Sequence, residues 1–322
     1  MYLFDFLKQL TKKSNIGLLI WLVLNTALIA ALFSNGFQSW EGVVLGLGIY
    51  IVSLMIALSP IGEWILRLQN GCRKLTRRED IERLEPIFRE VYAKAKQANP
   101  ELPNDIKMFI SDSKEPNAFA TGRKTVCVTK GLLNYSDEQI KGVLAHEFGH
   151  LAHKDTDSIL VVAVGNMVVS AIFVVIRVCA NIFMGIGQFM TAIMSRSIGG
   201  VIASIFVGIG RAIADLLLVL VMRAWTQIGV WLCMYSSRKN EFAADEYSFN
   251  CGYGDYLCQV LESFGNGGGA NGLFAALASS HPNTDQRIAK LQELGSAYRR
   301  GYSAATTTAT ATTPTSSSDS WL

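Results

Sequence analysis

The sequence predicts a mainly α-helical membrane protein, in which four transmembrane helices carry an α+β soluble part with a small β-sheet. Three observations lead there. Half of the 322 residues are hydrophobic and only 17% are charged, with a positive mean hydropathy. Apolar runs long enough to cross a bilayer core recur along the chain. Between and beyond them lie charged stretches with helix-period and strand-period patterning.

Residues 16–34 contain no charge and form the first span, and residues 43–61 form the second, with Glu63 and Trp64 at its end as an interfacial boundary. The first span is too long for a cleavable signal peptide, and no small-residue cleavage site follows before the second. Residues 79–98 are rich in Glu, Arg and Lys, with Ile81, Leu84, Ile87, Phe88 and Val91 spaced as an amphipathic helix. Residues 106–111 and 124–129 read as short strands, with 117–122 between them as a further strand or a bend. Ser136 to Gln139 forms a capping box, and Ile140, Val143, Leu144 and Leu151 continue it as an apolar helical stripe. A third span covers 158–176 and ends at Arg177. A fourth lies within 199–235, interrupted by Arg211, Asp215 and Arg223. Arg211 and Asp215 stand four apart, so they either neutralise one another on a helix face or sit at the interface with the arginines snorkelling. A further helix follows Glu241, then a glycine-rich loop over 265–272, which does not have P-loop spacing. The Ser/Thr/Ala-rich stretch 302–319 lacks a core-forming pattern and reads as disordered.

The expected domains are therefore a membrane hairpin over 1–66, the first half of a soluble domain over 67–157, a second hairpin over 158–235, the other half over 236–300, and a tail over 301–322. Lys8, Lys12 and Lys13 precede the first span and Arg67, Arg73, Lys74, Arg77 and Arg78 follow the second, whereas the intervening loop has no Lys or Arg. Lys154 precedes the third span, Arg238 and Lys239 follow the fourth, and only Arg196 lies between. The positive-inside rule puts both halves of the soluble part in the cytoplasm.

Within the first half, His146-Glu147-Phe148-Gly149-His150 places two imidazoles four residues apart on one helix face, with a carboxylate between them. That is a zinc-ligand pair with a carboxylate able to reach a water at the ion. Gly149 costs about 1 kcal/mol against Ala in a helix interior, so its presence argues for a close neighbour at the backbone. A catalytic zinc takes three protein ligands. His153 is one candidate, but a single straight helix rarely supplies three tetrahedral ligands, and His153 beside Lys154 reads as solvated or interfacial. Glu241 is the better candidate. It shares a helix face with Asp245, a group able to fix an imidazole tautomer, and Ala243 and Ala244 permit close packing.

These residues, with Asn117-Ala118-Phe119-Ala120-Thr121-Gly122 before them and His281-Pro282, Thr284, Arg287 and Ile288 after them, resemble the HtpX-type membrane zinc metalloproteases. Those are gluzincins related to the CAAX prenyl endoproteases. The pieces occur in the family's order, and the resemblance spans roughly 1–295. It implies one zinc per subunit, held by His146, His150 and Glu241, with Glu147 as general base and Asp245 behind the ligands. It implies an edge strand including Asn117, Ala118, Phe119 and Ala120 that pairs with substrate, and His281 and Arg287 near the reacting centre. It also implies quality control of misfolded membrane proteins from a multi-pass inner-membrane location, with a cytoplasmic site.

Composition bounds the alternatives. A net charge of +3 gives no basis for nucleic-acid binding, and the basic residues cluster where membrane topology already accounts for them. The six cysteines form no CxxC pair, and a reducing compartment favours free thiols. The expected partners are protein substrates and the lipid bilayer. A non-hydrolytic metal-binding protein or scaffold could use the same ligands, but it would have no need of a carboxylate at 147.

Overall fold

A computed structural model describes residues 16–34, 36–194, 198–236, 238–265 and 284–299, together with Phe6 and Leu10. Four of its helices are long and apolar enough to cross a membrane: α1 (Ile16–Phe33), α2 (Trp40–Ala57), α6 (Thr156–Met194), and Ile198–Leu232 within α7 (Ile198–Ser236). The expected count holds, but the limits differ. The second span stops at Ala57 because Ser59 caps a new helix, α3 (Pro60–Gln69), with Pro60 in its first turn. The third does not end at Arg177: α6 runs on to Met194, a length of about 58 Å against the roughly 30 Å of a bilayer core. Arg177 can stay inside that helical pair because its Nε donates to Asp215 of α7 at 2.6 Å, and Asn181 donates to the same carboxylate. Asp215 thus takes its partner across the hairpin, not from Arg211 along its own helix.

The two membrane hairpins are tied by amide and hydroxyl groups that hydropathy does not reveal. Asn25 of α1 donates to Asn166 of α6 at 2.9 Å, Asn166 donates to Thr226 of α7 at 3.0 Å, and the Trp225 indole donates to Asn25 at 2.9 Å. In hydrocarbon such groups have no water to turn to, so the network fixes which helix faces meet. A π-helical segment at Leu160–Gly165, fully buried, lets the start of α6 pack on α2 and α3.

The soluble elements are α4 (Arg78–Ala98), β1 (Lys107–Ser111), β2 (Ala118–Thr121), β3 (Thr125–Thr129), α5 (Asp137–His153), α8 (Arg238–Asn250), α9 (Gly254–Gly265) and α10 (Thr284–Glu293). The sheet order is β1-β3-β2, with β1 parallel and β2 antiparallel to β3, which leaves β2 as an edge. One face of the sheet (Ile110, Ala118, Ala120, Val126, Val128) packs on Leu84, Ile87 and Val91 of α4 and on Ile140, Leu144 and Phe148 of α5. Phe148 stacks on Tyr92 and lies 5.5 Å from the Phe88 ring. This core holds α5, the helix with both histidines, against the edge strand.

The β2–β3 turn is gripped from both membrane hairpins. Glu63 of α3 accepts from the Thr125 hydroxyl at 2.5 Å and from the Lys124 N–H at 3.2 Å. Arg123 donates from Nε to the buried Asp157 at 3.0 Å, and the Thr156 hydroxyl donates to the Gly122 carbonyl. Gly122 has φ +61°, and a Cβ there would lie 2.5 Å from Glu63 Cδ, so this turn requires glycine twice over.

Candidate metal centre

The helix carrying the paired histidines forms where the sequence puts it. Ser136 accepts from the Gln139 N–H while the Gln139 side chain accepts from the Ser136 N–H. At its other end Lys154 turns left-handed (φ +59°), so α5 and α6 are separate helices, with Asp155 set just past the break. His146 and Glu147 are buried and His150 is partly so.

α8 crosses α5 at Gly149. A Cβ on that glycine would stand 2.8 Å from Ala244 Cα and 3.1 Å from Tyr247 Cβ. The close neighbour expected at Gly149 is therefore the backbone of α8, and the contact delivers Glu241 to the histidines. His146 Nε2 lies 3.6 Å from one Glu241 oxygen, His150 Nε2 lies 3.5 Å from the other, and the two Nε2 atoms are 3.2 Å apart. Among the described residues His146, His150 and Glu241 form the group able to hold a metal ion, with ligand atoms all within 4.8 Å of one another. His153 is turned elsewhere, its ring edge-on to Tyr247 at 6.2 Å.

The residues fit a zinc ion. Two nitrogens bound tetrahedrally at zinc distances stand about 3.3 Å apart, close to the observed 3.2 Å. The outer nitrogens are held by carboxylates: His146 Nδ1 lies 2.9 Å from Asp245, and His150 Nδ1 lies 3.3 Å from Asp155. A proton on each Nδ1 leaves two Nε2 lone pairs and a carboxylate pointing at one spot, an arrangement that calls for a cation. The electrostatics agree. Burial alone would lower the His150 pKa, yet Glu241, Asp155 and Glu147 outweigh it and push it up to about 10.

Arg287 is buried, and its guanidinium binds Asp245 through Nε at 2.7 Å and Nη2 at 2.6 Å, with Nη1 3.5 Å from Glu241. Burial opposes the charged Asp245, but Arg287 and His146 hold its pKa below the usual carboxylate range. Asp155, for its part, accepts from the Asn240 side chain at 2.9 Å. Asp155 was missed by sequence reasoning. The signal for it was a carboxylate five residues past His150, beyond the helix end, where periodicity stops being a guide.

Glu147 is joined to the edge strand: its Oε2 accepts from the Ala120 N–H at 2.7 Å. The Asn117 carbonyl faces β3, accepting from the Thr129 N–H at 2.9 Å. By the alternation of an antiparallel ladder, Ala118 and Ala120 turn their N–H and C=O groups away from β3, and the Ala120 N–H meets α5 there. His281 lies outside the described residues.

The sequence model for peptidase family M48 matches residues 79–295. The chain is 26% identical over 314 residues to Protease HtpX of Pseudomonas entomophila (strain L48), covering 85% of this chain and 95% of that protein. It is 28% identical over 275 residues to Protease HtpX of Ectopseudomonas mendocina (strain ymp), with 78% and 85% covered. Protease HtpX of Hahella chejuensis (strain KCTC 2396) is 27% identical over 320 residues, with 85% and 98% covered.

Proposed function

The chain belongs to peptidase family M48 and is a metalloprotease of the membrane, and on that premise we propose that it is a zinc endopeptidase using Glu147 as general base. The observation that carries this reading is the convergence of His146, His150 and Glu241 within 4.8 Å, with Glu147 beside them. Bound there, zinc would supply Lewis acidity toward the scissile carbonyl and the attacking water.

The protein's own groups do the rest. One oxygen of Glu147 is anchored by the Ala120 N–H, so the other is left to take the water's proton and later hand it to the departing amine. The outward N–H and C=O of Ala118 and the C=O of Ala120 would pair with an extended substrate as an added strand, with Asn117 and Phe119 in the same segment. Asp245 and Asp155 keep each ligand imidazole in one tautomer, and Arg287 balances the buried charge of Asp245 and Glu241, acting as a positioning residue. His281 is assigned to the reacting centre by the family resemblance alone. The segments 67–157 and 236–300 would form one protease domain, split by the hairpin 158–235.

The positive-inside pattern favours a cytoplasmic site. Its closeness to the membrane, with Asp155 between α5 and α6, favours membrane proteins as substrates. The relatives, proteases by name, agree with proteolysis, and we assign this protein to removal of damaged membrane proteins in an inner membrane.

Metal analysis of the purified protein in detergent should find one zinc per chain. A chelator should abolish cleavage of a membrane-protein substrate, and zinc should restore it. Full cleavage by metal-free protein would overturn the reading. A more local test is Ala118→Pro, which removes an outward N–H that the sheet does not use and so should fold normally. Losing one strand hydrogen bond, about 0.5–1.5 kcal/mol, should raise KM by roughly 2- to 13-fold with kcat little changed. An unaltered KM would argue against strand pairing at β2.

A further inference from the structure

We propose that Cys72 and Cys127 form a peroxide-sensitive dithiol that closes to a disulfide between the membrane linker and the middle strand of the sheet. The sheet face turned away from the main core carries Phe109, Cys127 and Phe119, with Cys72 packed against them as a separate apolar cluster. Phe109 and Phe119 are the register neighbours of Cys127 on either side, so Cys127 sits at the centre of the sheet, next to the substrate-pairing edge. Cys72 reaches it from the linker after α3, which is pinned to β1 by the Arg73–Ile110 bridge. Both thiols are reduced in this structure and lie in the same apolar cluster.

Three features distinguish this pair from the other described cysteines. It brings together two sulfurs, one able to attack and one able to resolve. Cys72 also borders a cavity of about 470 Å³, lined in part by Leu68, Arg73, Ser111 and Asp112, large enough to admit a peroxide. Finally, Cys127 beside it, and to a lesser degree the charge of Arg67, hold the Cys72 thiol below its usual range against the effect of burial, while Cys127 itself is pushed up. Burial raises Cys251, and it raises Cys258 to about 11, so those two are poorer nucleophiles. A thiol of lowered pKa that borders a cavity and has a second sulfur in its cluster fits the pattern of a redox-sensing cysteine.

The chemistry balances with hydrogen peroxide as oxidant. The Cys72 thiolate attacks one peroxide oxygen, the O–O bond breaks, and the leaving oxygen departs as hydroxide and is protonated. Sulfur loses two electrons to become a sulfenic acid, and the peroxide gains them. The Cys127 sulfur then displaces the sulfenic oxygen, forming the S–S bond and releasing water with the thiol proton. The product would tie the linker from the membrane helices to β3, the neighbour of the strand whose Ala120 binds Glu147.

The test treats the full-length protein in detergent with hydrogen peroxide, quenches by alkylation and maps peptides without reduction. The expected result is a Cys72–Cys127 linked peptide at peroxide levels that leave Cys251 and Cys258 alkylatable, with reversal by a dithiol. In Cys127→Ser, a sulfenic acid should persist at Cys72 and be captured by dimedone. Cys72 remaining alkylatable while Cys251 oxidises would overturn the proposal, as would a sulfenic acid on Cys72 that persists in the unmutated protein. Should Cys127→Ser fail to fold, the mapping of the unmutated protein decides by itself.

Discussion

Glu147→Gln should lower kcat by about 10²- to 10⁴-fold, the range a positioned general base contributes, while zinc stays bound. The expectation rests on the two oxygens having different tasks. Oε2 accepts from the Ala120 N–H at 2.7 Å, a bond a glutamine carbonyl can still make, so strand and helix should keep their places. What the amide cannot do is take a proton from water. Steady-state kinetics beside zinc analysis on the same preparation separates the possibilities. Loss of turnover with full zinc supports the assignment. Retained turnover removes Glu147 from the mechanism, and loss of zinc would mean that the carboxylate helps to assemble the site.

Gly149→Ala should be nearly as damaging, although it adds a single methyl and replaces a poor helix former with the best one. Helix propensity alone favours the change by about 1 kcal/mol. Against that, the new Cβ would fall 2.8 Å from Ala244 Cα, a backbone atom that can retreat only by moving α8. Overpacking of this kind costs about 1–3 kcal/mol. The larger consequence is at Glu241, carried on the same helix, where a shift of about 1 Å is enough to cost 10²-fold in rate. We therefore expect weaker zinc retention and activity lower by about two orders of magnitude. Gly48→Ala, on a membrane helix with nothing within 4 Å of the added Cβ, serves as the control and should be benign. If both variants behave alike, the helix crossing does not set the ligand geometry.

The contrast between legible and hidden features follows from the range of the interactions. The capping box, the apolar stripe of α5 and the paired histidines are local, and each could be read from a few consecutive residues. Glu241 was reachable because its small neighbours and its partner Asp245 repeat on one helix face. The ends of the spans were not, since Ser59-Pro60 stops one helix early and the Arg177–Asp215 pair lets another continue through a charge. Asp155 supports its histidine from beyond a helix end, and Glu63, read as a membrane boundary, reaches across to Thr125. Such contacts join residues far apart in the chain, and no periodicity records them. The same holds for Asn25, a lone amide in an apolar run that joins three helices through Asn166 and Trp225.

The placing of the second hairpin between the two halves of the site also has a consequence for biosynthesis. His146 and His150 leave the ribosome first, and Glu241 follows 91 residues later. At roughly 5–20 residues per second, translation takes about 5–18 s to supply it. Throughout that interval α6 and α7 must be made and inserted, and the nascent chain could offer a metal only two of the three proposed ligands. With these ligands, a newly made copy would gain its cutting power only after it had reached the membrane, and the order of the chain itself would act as a safety catch for the cell that translates it.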